Sequence, residues 1–568
     1  MSLSSADPGG RPPGAPRNAD PGGRPPRAPR KADPGGRLPG ALRKDQATQS
    51  TGGVEQDDPH QARRLGRIGL TLTAVSFALT VTVALLGPSL MEPTLPGQAG
   101  QPPWSLAANP SPYLVVALSG AAIITAITGL IFSLNALRRS WPGPARLIML
   151  AGILGAAVLA FLPPFGSSDH LSYAAYGRMA ITGHDPFTTT PAMLARLGDP
   201  VARAVQDWRT SPSVYGPAAI AGQALAAWIG GTSVKLIVFV LSLLNAAAFA
   251  GTGILLHWLT RRDRTRQLRV ALLWTANPLL LLVLIAGAHV DAQAIMFGVA
   301  AVATATAALR PHWSAEGESA PGLPGLALAG VAVGALLGLG FAIKVTTVLL
   351  GAGIAIGLLV SPRSSLRPSI STRAGLAAGF VAVVVAALIP WGTSVFVPAL
   401  RAGSFTSIGS PWRAVRSALH PFIGENAAED TVKAASILLA FVLLILLLRY
   451  VTQIRDIGGP VLVAGAFIVV FAWLLAWPYV LPWYDGLAWA LLAALPASRL
   501  DWLMLARTGA LALGYLPARG IALPAGLGWL ETVVRTALTP AALLVIIVLT
   551  LLWLRAGRLE IRAGRSLL

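Results

Sequence analysis

Residues 161–187 read FLPPFGSSDHLSYAAYGRMAITGHDPF, and with DWRTSPSVYGP at 207–217 they bound the longest polar interruption of an otherwise apolar chain. Pro163 and Pro164 stop the apolar helix that precedes them, and a short amphipathic helix is expected to start just after Ser168. On that helix Asp169, Tyr173 and Tyr176 share one face by the i, i+4, i+7 rule. Two readings of Asp169 stand side by side. It is the N-cap of the helix, which Asp does well, or it is a carboxylate set beside two aromatics at the mouth of a membrane helix, where it can act on a sugar.

The surrounding composition decides the fold class. Hydrophobic residues make up 54% of the 568, charged residues 12%, and the mean hydropathy is +0.64. Soluble domains carry about 25% charged residues, so the chain reads as an all-α polytopic membrane protein. There is no cysteine, which removes disulfides, thiol nucleophiles and thiolate metal sites together. The formal charge of +20 does not indicate nucleic acid, because much of the Arg/Lys excess lies in short loops between apolar runs, the positive-inside pattern of a membrane protein.

Residues 6–44 repeat a 13-residue unit three times, beginning ADPGGRPPGAPRN. Pro, Gly and Arg dominate it, so residues 1–62 read as a disordered cytoplasmic tail and 63–568 as the transmembrane domain. At about 20 apolar residues per span, the chain is expected to cross about 14 times. The first span is Gly66 to Leu90, and the loop 91–112 after it has no Lys or Arg and is placed outside. Arg138, Arg139 and Arg146 then lie inside, which puts the Asp169 loop (163–233) outside. Ala218 to Trp228 is too short to cross, and letting it cross would place RRDRTRQLR (261–269) outside, so it is read as an interfacial helix. Val270 to Ala286 leads out to AGAHVDAQ. Leu326 to Val360 is split by Phe341 to Lys344 into two short spans, and the Arg363, Arg367 and Arg373 cluster lies inside. A second outer loop spans 398–432, followed by spans at Ala434 to Leu448, Pro460 to Leu475, Gly486 to Leu495, Trp502 to Leu516 and Val533 to Leu554. Both termini are then cytoplasmic in a plasma membrane. Most of the chemically capable residues, Asp485 among them, come out on the one extracytoplasmic face.

No P-loop or HExxH motif occurs, and no histidine pair sits at metal-ligand spacing. The glycines of GAGIAIG (351–357) lie in an apolar span, where small residues serve helix packing. An enzyme on the outer face has no nucleotide sugars, and a lipid-linked donor meets that constraint.

The strings SSDHLSYAAYGRMAITGHDPF (167–187), WRTSPSVYGP (208–217), NPLLLLVLIAGAHVDAQ (277–293), FAIKVTT (341–347) and PYVLPWYDG (478–486) occur in this order. Together they resemble the actinobacterial polyprenol-phosphate-mannose-dependent α-1,6-mannosyltransferases of the glycosyltransferase-C superfamily. The resemblance implies a glycosyltransferase that moves mannose from a polyprenyl phosphate to a hydroxyl of a mannan or lipomannan precursor, with inversion. Asp169 would be the general base, and Asp291 of GAHVDAQ the second outer acidic position. Family members commonly carry Arg before the first aspartate and Asn where this chain has Val290; Ser168 stands at the first position here.

The chemistry fits such a site. A sugar hydroxyl needs a positioned base, and a carboxylate at a partly desolvated boundary has a raised pKa. Cations should stabilise the leaving phosphate; Lys344, Arg401, Arg413 and Arg178 are the candidates, or they snorkel to headgroups. His184 and His289 can donate to hydroxyls or phosphate, or they are structural. Trp483 and Tyr484 stack on sugar, line a lipid entrance, or belong to an interfacial aromatic belt. His170, Tyr173, Asp185 and Tyr215 are read as further substrate contacts. No cofactor is certain, and a divalent cation stays open. The expected partners are the polyprenyl-phosphate-linked donor, a glycolipid or glycan acceptor and membrane lipid. The competing class is a transporter or flippase of a lipid-linked sugar, which would place ionisable residues near mid-membrane and show repeated span patterns; no repeat occurs outside the tail.

Overall fold

The computed structural model describes residues 58–308, 323–361, 370–517, 519–557 and 561. The repeated tail up to residue 57, most of the polar loop at 311–324, Arg363, Arg367 and the last arginines lie outside the described residues. Among the described residues the regular structure is helical throughout, with no strand. Nine of these helices are long and apolar enough to cross a membrane. A helix satisfies its own backbone polar groups, which hydrocarbon cannot do. Four more apolar helices are shorter: Ala145–Ala160, Pro217–Gly230, Val345–Val360 and Val461–Ala476.

The first helix, Pro59–Leu86, begins seven residues before the expected span. Asp58 caps it by accepting from the His60 N–H at 2.9 Å, and Pro59 takes the first turn, where its missing N–H is no loss. It lies against Pro112–Arg138 through small residues. A Cβ on Gly69 would stand 2.5 Å from Ser133 Oγ, and Ser76 Oγ donates across the pair to Ala122 O at 2.8 Å. Apolar side chains gain little by leaving lipid for one another, so close backbone approach and interhelical hydrogen bonds carry such contacts.

The same device sets the two helices around Lys344, of which the first is long enough to cross and only the second is short. Leu323–Ile343 packs on Ile370–Leu388 with glycines on both sides. Added Cβ atoms at Gly330 and Gly334 would fall 2.3 and 2.0 Å from Thr372 O and Leu376 O, and those at Gly375 and Gly379 would fall 2.5 and 2.2 Å from Ala327 O and Val331 O. Val348–Val360 meets Val461–Ala476 through Gly353, whose Cβ would sit 2.2 Å from Ala466 Cα. The GAGIAIG glycines therefore serve helix packing. Between the two helices Lys344 is extended (φ −148°, ψ 125°), at the break expected from FAIK.

Several boundaries differ from the sequence reading. Arg264–Ala286 is broken at Asn277–Pro278, where Asn277 Oδ1 caps Leu279 N at 3.1 Å, and it contains two π-helical stretches. Most of it is buried, so it is an interior hairpin arm whose end presents His289 and Asp291. The expected span Ala434 to Leu448 is the middle of a 32-residue helix, Glu425–Asp456. The loop expected at 398–432 thus ends at Gly424, and the helices Phe396–Ala402 and Pro411–Ile423 take up much of it. Gly486 to Leu495 is a nine-residue helix, Asp485–Ala493. At 1.5 Å per residue it covers about 14 Å, half a hydrocarbon core. Apolarity alone does not separate a buried core helix from a span, which is why these lengths escaped the sequence.

Two buried ion pairs tie the helix Leu500–Gly514 to the core. Arg269 grips Asp501 with bonds of 2.8 and 3.1 Å, and Arg507 pairs with Asp485 while Thr508 Oγ1 donates to that carboxylate at 2.7 Å. All four side chains are buried. Asp485 is therefore a structural residue and does not belong with the residues expected to act on the outer face.

Candidate active site

Four chain segments meet at one point: the N-terminus of Asp169–Ile181, the turn 287–290, the extended Lys344, and the turn 477–484. Each is a place where a helix is stopped, by Pro163 and Pro164, by the Gly287–Ala288 turn, by the Lys344 break and by Pro478 and Pro482. Irregular backbone at this depth is tolerated where it lines a cavity. The cavity is present, with a volume of about 420 Å³ and walls that include Asp169, Tyr173, Tyr176, Tyr215, Lys344 and Tyr484. The i, i+4, i+7 face of the Asp169 helix is the one that looks into it.

Asp169 does not cap its helix. Ser168 is the N-cap residue, without a side-chain cap bond, and the Asp169 backbone N–H donates to Ser167 Oγ at 3.1 Å. Its carboxylate, 16% exposed, is free to face the cavity. Burial pushes its pKa up to about 6; the nearby Asp207 adds to the rise, while Lys344 and a hydrogen bond from Trp208 oppose it. His289 Nδ1 lies 3.5 Å from Asp169 Oδ2. Its ring is stacked on Trp483 at 3.6 Å and 14°, and burial with the Lys344 charge holds it well below the usual imidazole range, so it is neutral.

Beside this carboxylate lies a cationic group. Lys344 Nζ is 2.6 Å from Asp291 Oδ1 and 4.0 Å from the centre of the Tyr484 ring. The second carboxylate oxygen of Asp291 is buried with no hydrogen-bond partner. Tyr173 and Tyr215 share a hydroxyl contact of 3.0 Å, and burial raises both phenols well above their ordinary range, so they remain donors. Arg401 completes the cationic side of the wall. Among the described residues no three His, Asp or Glu side chains gather as a metal site requires, and Lys344 lies on Asp291 where a cation would otherwise be drawn. The arrangement combines a carboxylate poised to take a proton near neutral pH with fixed positive charge for an anionic leaving group.

More than half of the chain, residues 68–360, matches a family model described as "Alpha-(1->6)-mannopyranosyltransferase, N-terminal domain". The chain belongs to this family. A probable α-(1→6)-mannopyranosyltransferase of Mycolicibacterium smegmatis is 32% identical over 147 residues, 25% of this chain and 25% of that protein. An α-(1→6)-mannopyranosyltransferase of Mycobacterium tuberculosis is 33% identical over 151 residues, 25% of this chain and 24% of that protein. The chain thus matches about a quarter of the length of these curated relatives. No solved structure matches it.

In this member of the mannopyranosyltransferase family, several residues expected at the site are placed elsewhere. His170 is fully buried, with neither ring nitrogen bonded, and burial followed by the Arg519 charge lowers it to about 3. It follows Asp169 by one residue, and neighbouring positions on a helix point apart. Arg178 is paired with Asp199 at 2.9 Å. His184 contacts Thr182 Oγ1 at 3.1 Å, and Asp185 accepts from Phe187 N at 2.8 Å and Ser394 Oγ at 3.2 Å, so both hold the turn after the helix. Arg413 is exposed on Pro411–Ile423, outside the cavity walls. Trp483 is buried behind Tyr484, where it orients His289 and contacts no substrate space of the main cavity.

Other wall residues were not singled out from the sequence: Trp208, Phe405, Trp473, Trp477 and Tyr479. Asp207 is also part of the site, accepting from Ser168 Oγ and from the Gly520 N–H at 3.2 Å. The signal for Asp207 and Trp208 lay in DWRTSPSVYGP itself, a polar run closing the loop that Asp169 opens. Gly520 gave none, because its role is a contact across more than 300 residues.

Proposed function

We propose that this protein transfers a mannosyl residue from polyprenyl-phosphate mannose to a mannan- or lipomannan-type glycolipid on the extracytoplasmic face, with inversion and with Asp169 as general base. Family membership supports mannosyl transfer. The Asp169 carboxylate takes the proton of the acceptor hydroxyl, the hydroxyl oxygen bonds to the anomeric carbon, and the bond from that carbon to the phosphate oxygen breaks with its electrons on phosphate. Lys344 and Arg401 meet the charge that develops there. One juxtaposition carries this reading: a carboxylate with a pKa near 6 shares a 420 Å³ aromatic cavity with the Lys344 ammonium.

The direct test is transfer from synthetic polyprenyl-phosphate mannose to an α-1,6-mannobiose acceptor by the purified chain. Mass spectrometry of envelope glycolipids from a deletion strain then names the missing linkage. A purified, folded chain that transfers no mannose, paired with a deletion strain whose glycolipids are intact, would end the proposal.

The base assignment has its own pH signature. A base works only when deprotonated, so kcat/KM should rise with pH through a midpoint near 6, the value burial gives Asp169. A profile flat from pH 4.5 to 7.5 is the contrary result.

The orientation rests on the alternation of basic loops. Leu197, 69% exposed in the loop that follows the Asp169 helix, offers a labelling position in a chain without cysteine. Leu197→Cys should react with a membrane-impermeant maleimide in intact cells. Reaction only after the cells are opened would place the site inside.

A further inference from the structure

Trp208 holds a backbone conformation that a bulky side chain rarely adopts, with φ +59°. In a non-glycine residue of this size such a value marks strain that the surroundings impose, and the surroundings are specific. The preceding Asp207 is tied by Ser168 Oγ and the Gly520 N–H. The Trp208 carbonyl accepts from Ser211 N at 3.0 Å, and the Arg209 carbonyl accepts from Ala192 N at 2.8 Å. The chain is fixed on both sides of this one residue, and the result is an indole aimed at the cavity. Its indole shares the cavity wall with the Asp169 carboxylate, near enough for its N–H to favour the charged form, and the residue stays 43% exposed.

Its ring also begins an ordered wall. Trp208 is stacked with Phe405 at 6.1 Å and 16°, Phe405 meets Tyr479 edge-on at 5.7 Å, and Tyr479 meets Tyr484 at 6.3 Å. Tyr484 lies beneath Lys344. The wall therefore runs from the base to the cation. At the Lys344 end the cavity is bounded by Val345, Val348 and Leu349, apolar side chains suited to a lipid phosphate and its tail. At the Trp208 end it is bounded by the loop residues Thr210, Ser211 and Pro212, exposed or half-buried beside the indole. The two substrates of a transfer between a lipid-linked donor and a glycan need such unlike ends.

We propose that Trp208 is the acceptor platform: its indole face binds the apolar face of the acceptor pyranose, and its N–H aims the Asp169 carboxylate at that sugar's hydroxyl. This rests on the transferase reading above and adds the subsite that the acceptor occupies. A pyranose presents a C–H face as well as hydroxyls, so a flat aromatic beside a carboxylate fixes both its plane and the hydroxyl to be deprotonated. An interfacial belt residue needs neither the strained backbone nor a place beside Asp169 in the cavity wall.

Two substitutions separate the roles, assayed with the full purified chain, polyprenyl-phosphate mannose and α-1,6-mannobiose. Trp208→Phe keeps an aromatic face and loses the N–H. It should lower kcat about tenfold, the scale of a hydrogen bond to a charged group, and leave the acceptor KM within about threefold. It should also move the acid limb of the pH profile upward, because a bond that favours the charged carboxylate is gone. The other groups facing Asp169, namely Asp207, Asp291, Lys344 and His289, are unchanged in that variant. Trp208→Ala removes the face and should raise the acceptor KM about tenfold or more, the equivalent of about 1.4 kcal/mol, with the donor KM unchanged.

Saturation-transfer NMR of mannobiose reads the same contact without turnover and should be strong for wild type and Trp208→Phe and weak for Trp208→Ala. Elution and thermal unfolding equal to wild type qualify each variant as folded. If wild type transfers mannose while both variants keep its acceptor KM and pH profile, the platform assignment is overturned. A parallel loss in donor and acceptor parameters with an unmoved acid limb would also overturn it, as a structural role. If wild type itself neither transfers mannose nor binds mannobiose, it is the transferase reading that has failed.

Discussion

Replacing Asp169 with Asn should reduce mannosyl transfer about 10²- to 10⁴-fold, the usual contribution of a positioned acid or base, while leaving the fold at least as stable. The substitution keeps the shape of the side chain and removes only its basic oxygen. A capping role would predict surviving activity, since Asn caps as well as Asp, but the Asp169 side chain makes no cap bond. The sign of the stability effect follows from the titration. Asp169 is raised from its ordinary value of 3.8 to about 6 in the fold, so its contribution to stability is present below the lower value and lost as pH rises through the higher one. Above pH 6 the wild-type protein holds a charge that burial and Asp207 disfavour, and Asn relieves it. Near wild-type turnover in a folded Asp169→Asn protein would remove Asp169 as the base and transfer the role to Asp291. Loss of turnover with lipid-donor binding intact is the expected result.

Lys344→Met should act on the other half of the reaction and should need a second substitution to be read. Lys344 and Asp291 are both nearly buried and 2.6 Å apart, so removing the ammonium leaves an uncompensated carboxylate, with a loss of about 3–5 kcal/mol of stability. The double variant Lys344→Met with Asp291→Asn removes both charges and should recover most of that loss. Transfer should remain down by about 10²- to 10³-fold in the double variant, the scale for losing one preorganised group that meets developing charge. Thermal unfolding and single-turnover rates measured on the single and double variants separate the two effects. Activity restored together with stability in the double variant would make the pair purely structural and leave Arg401 as the cation for the phosphate.

The main parts of the site were legible because each marks its position in the chain by interrupting apolar periodicity. Asp169 follows two prolines, His289 and Asp291 follow a glycine turn, Lys344 breaks one long apolar run, and Tyr484 lies in PYVLPWYDG. Residues misjudged from the sequence share a different feature. Arg178, Asp185 and Asp485 are polar residues near a membrane boundary whose partners, Asp199, Ser394 and Arg507, are met only on folding. A charge with a buried partner and a charge open to substrate look alike in a string of letters.

The sequence by itself determined that the chain is helical and embedded in a membrane, because hydropathy and the placement of arginines are local properties summed along the chain. It also determined that Asp169, Tyr173 and Tyr176 share one face of their helix, since the 3.6-residue period fixes that without reference to any other segment. Only the tertiary structure decided which breaks converge, which apolar helices are interior, and which carboxylates are already taken. Those depend on contacts such as Gly353 against Ala466, Gly520 against Asp207 and Arg269 against Asp501. Each joins residues more than 100 positions apart, where separation in sequence carries no information about distance in space.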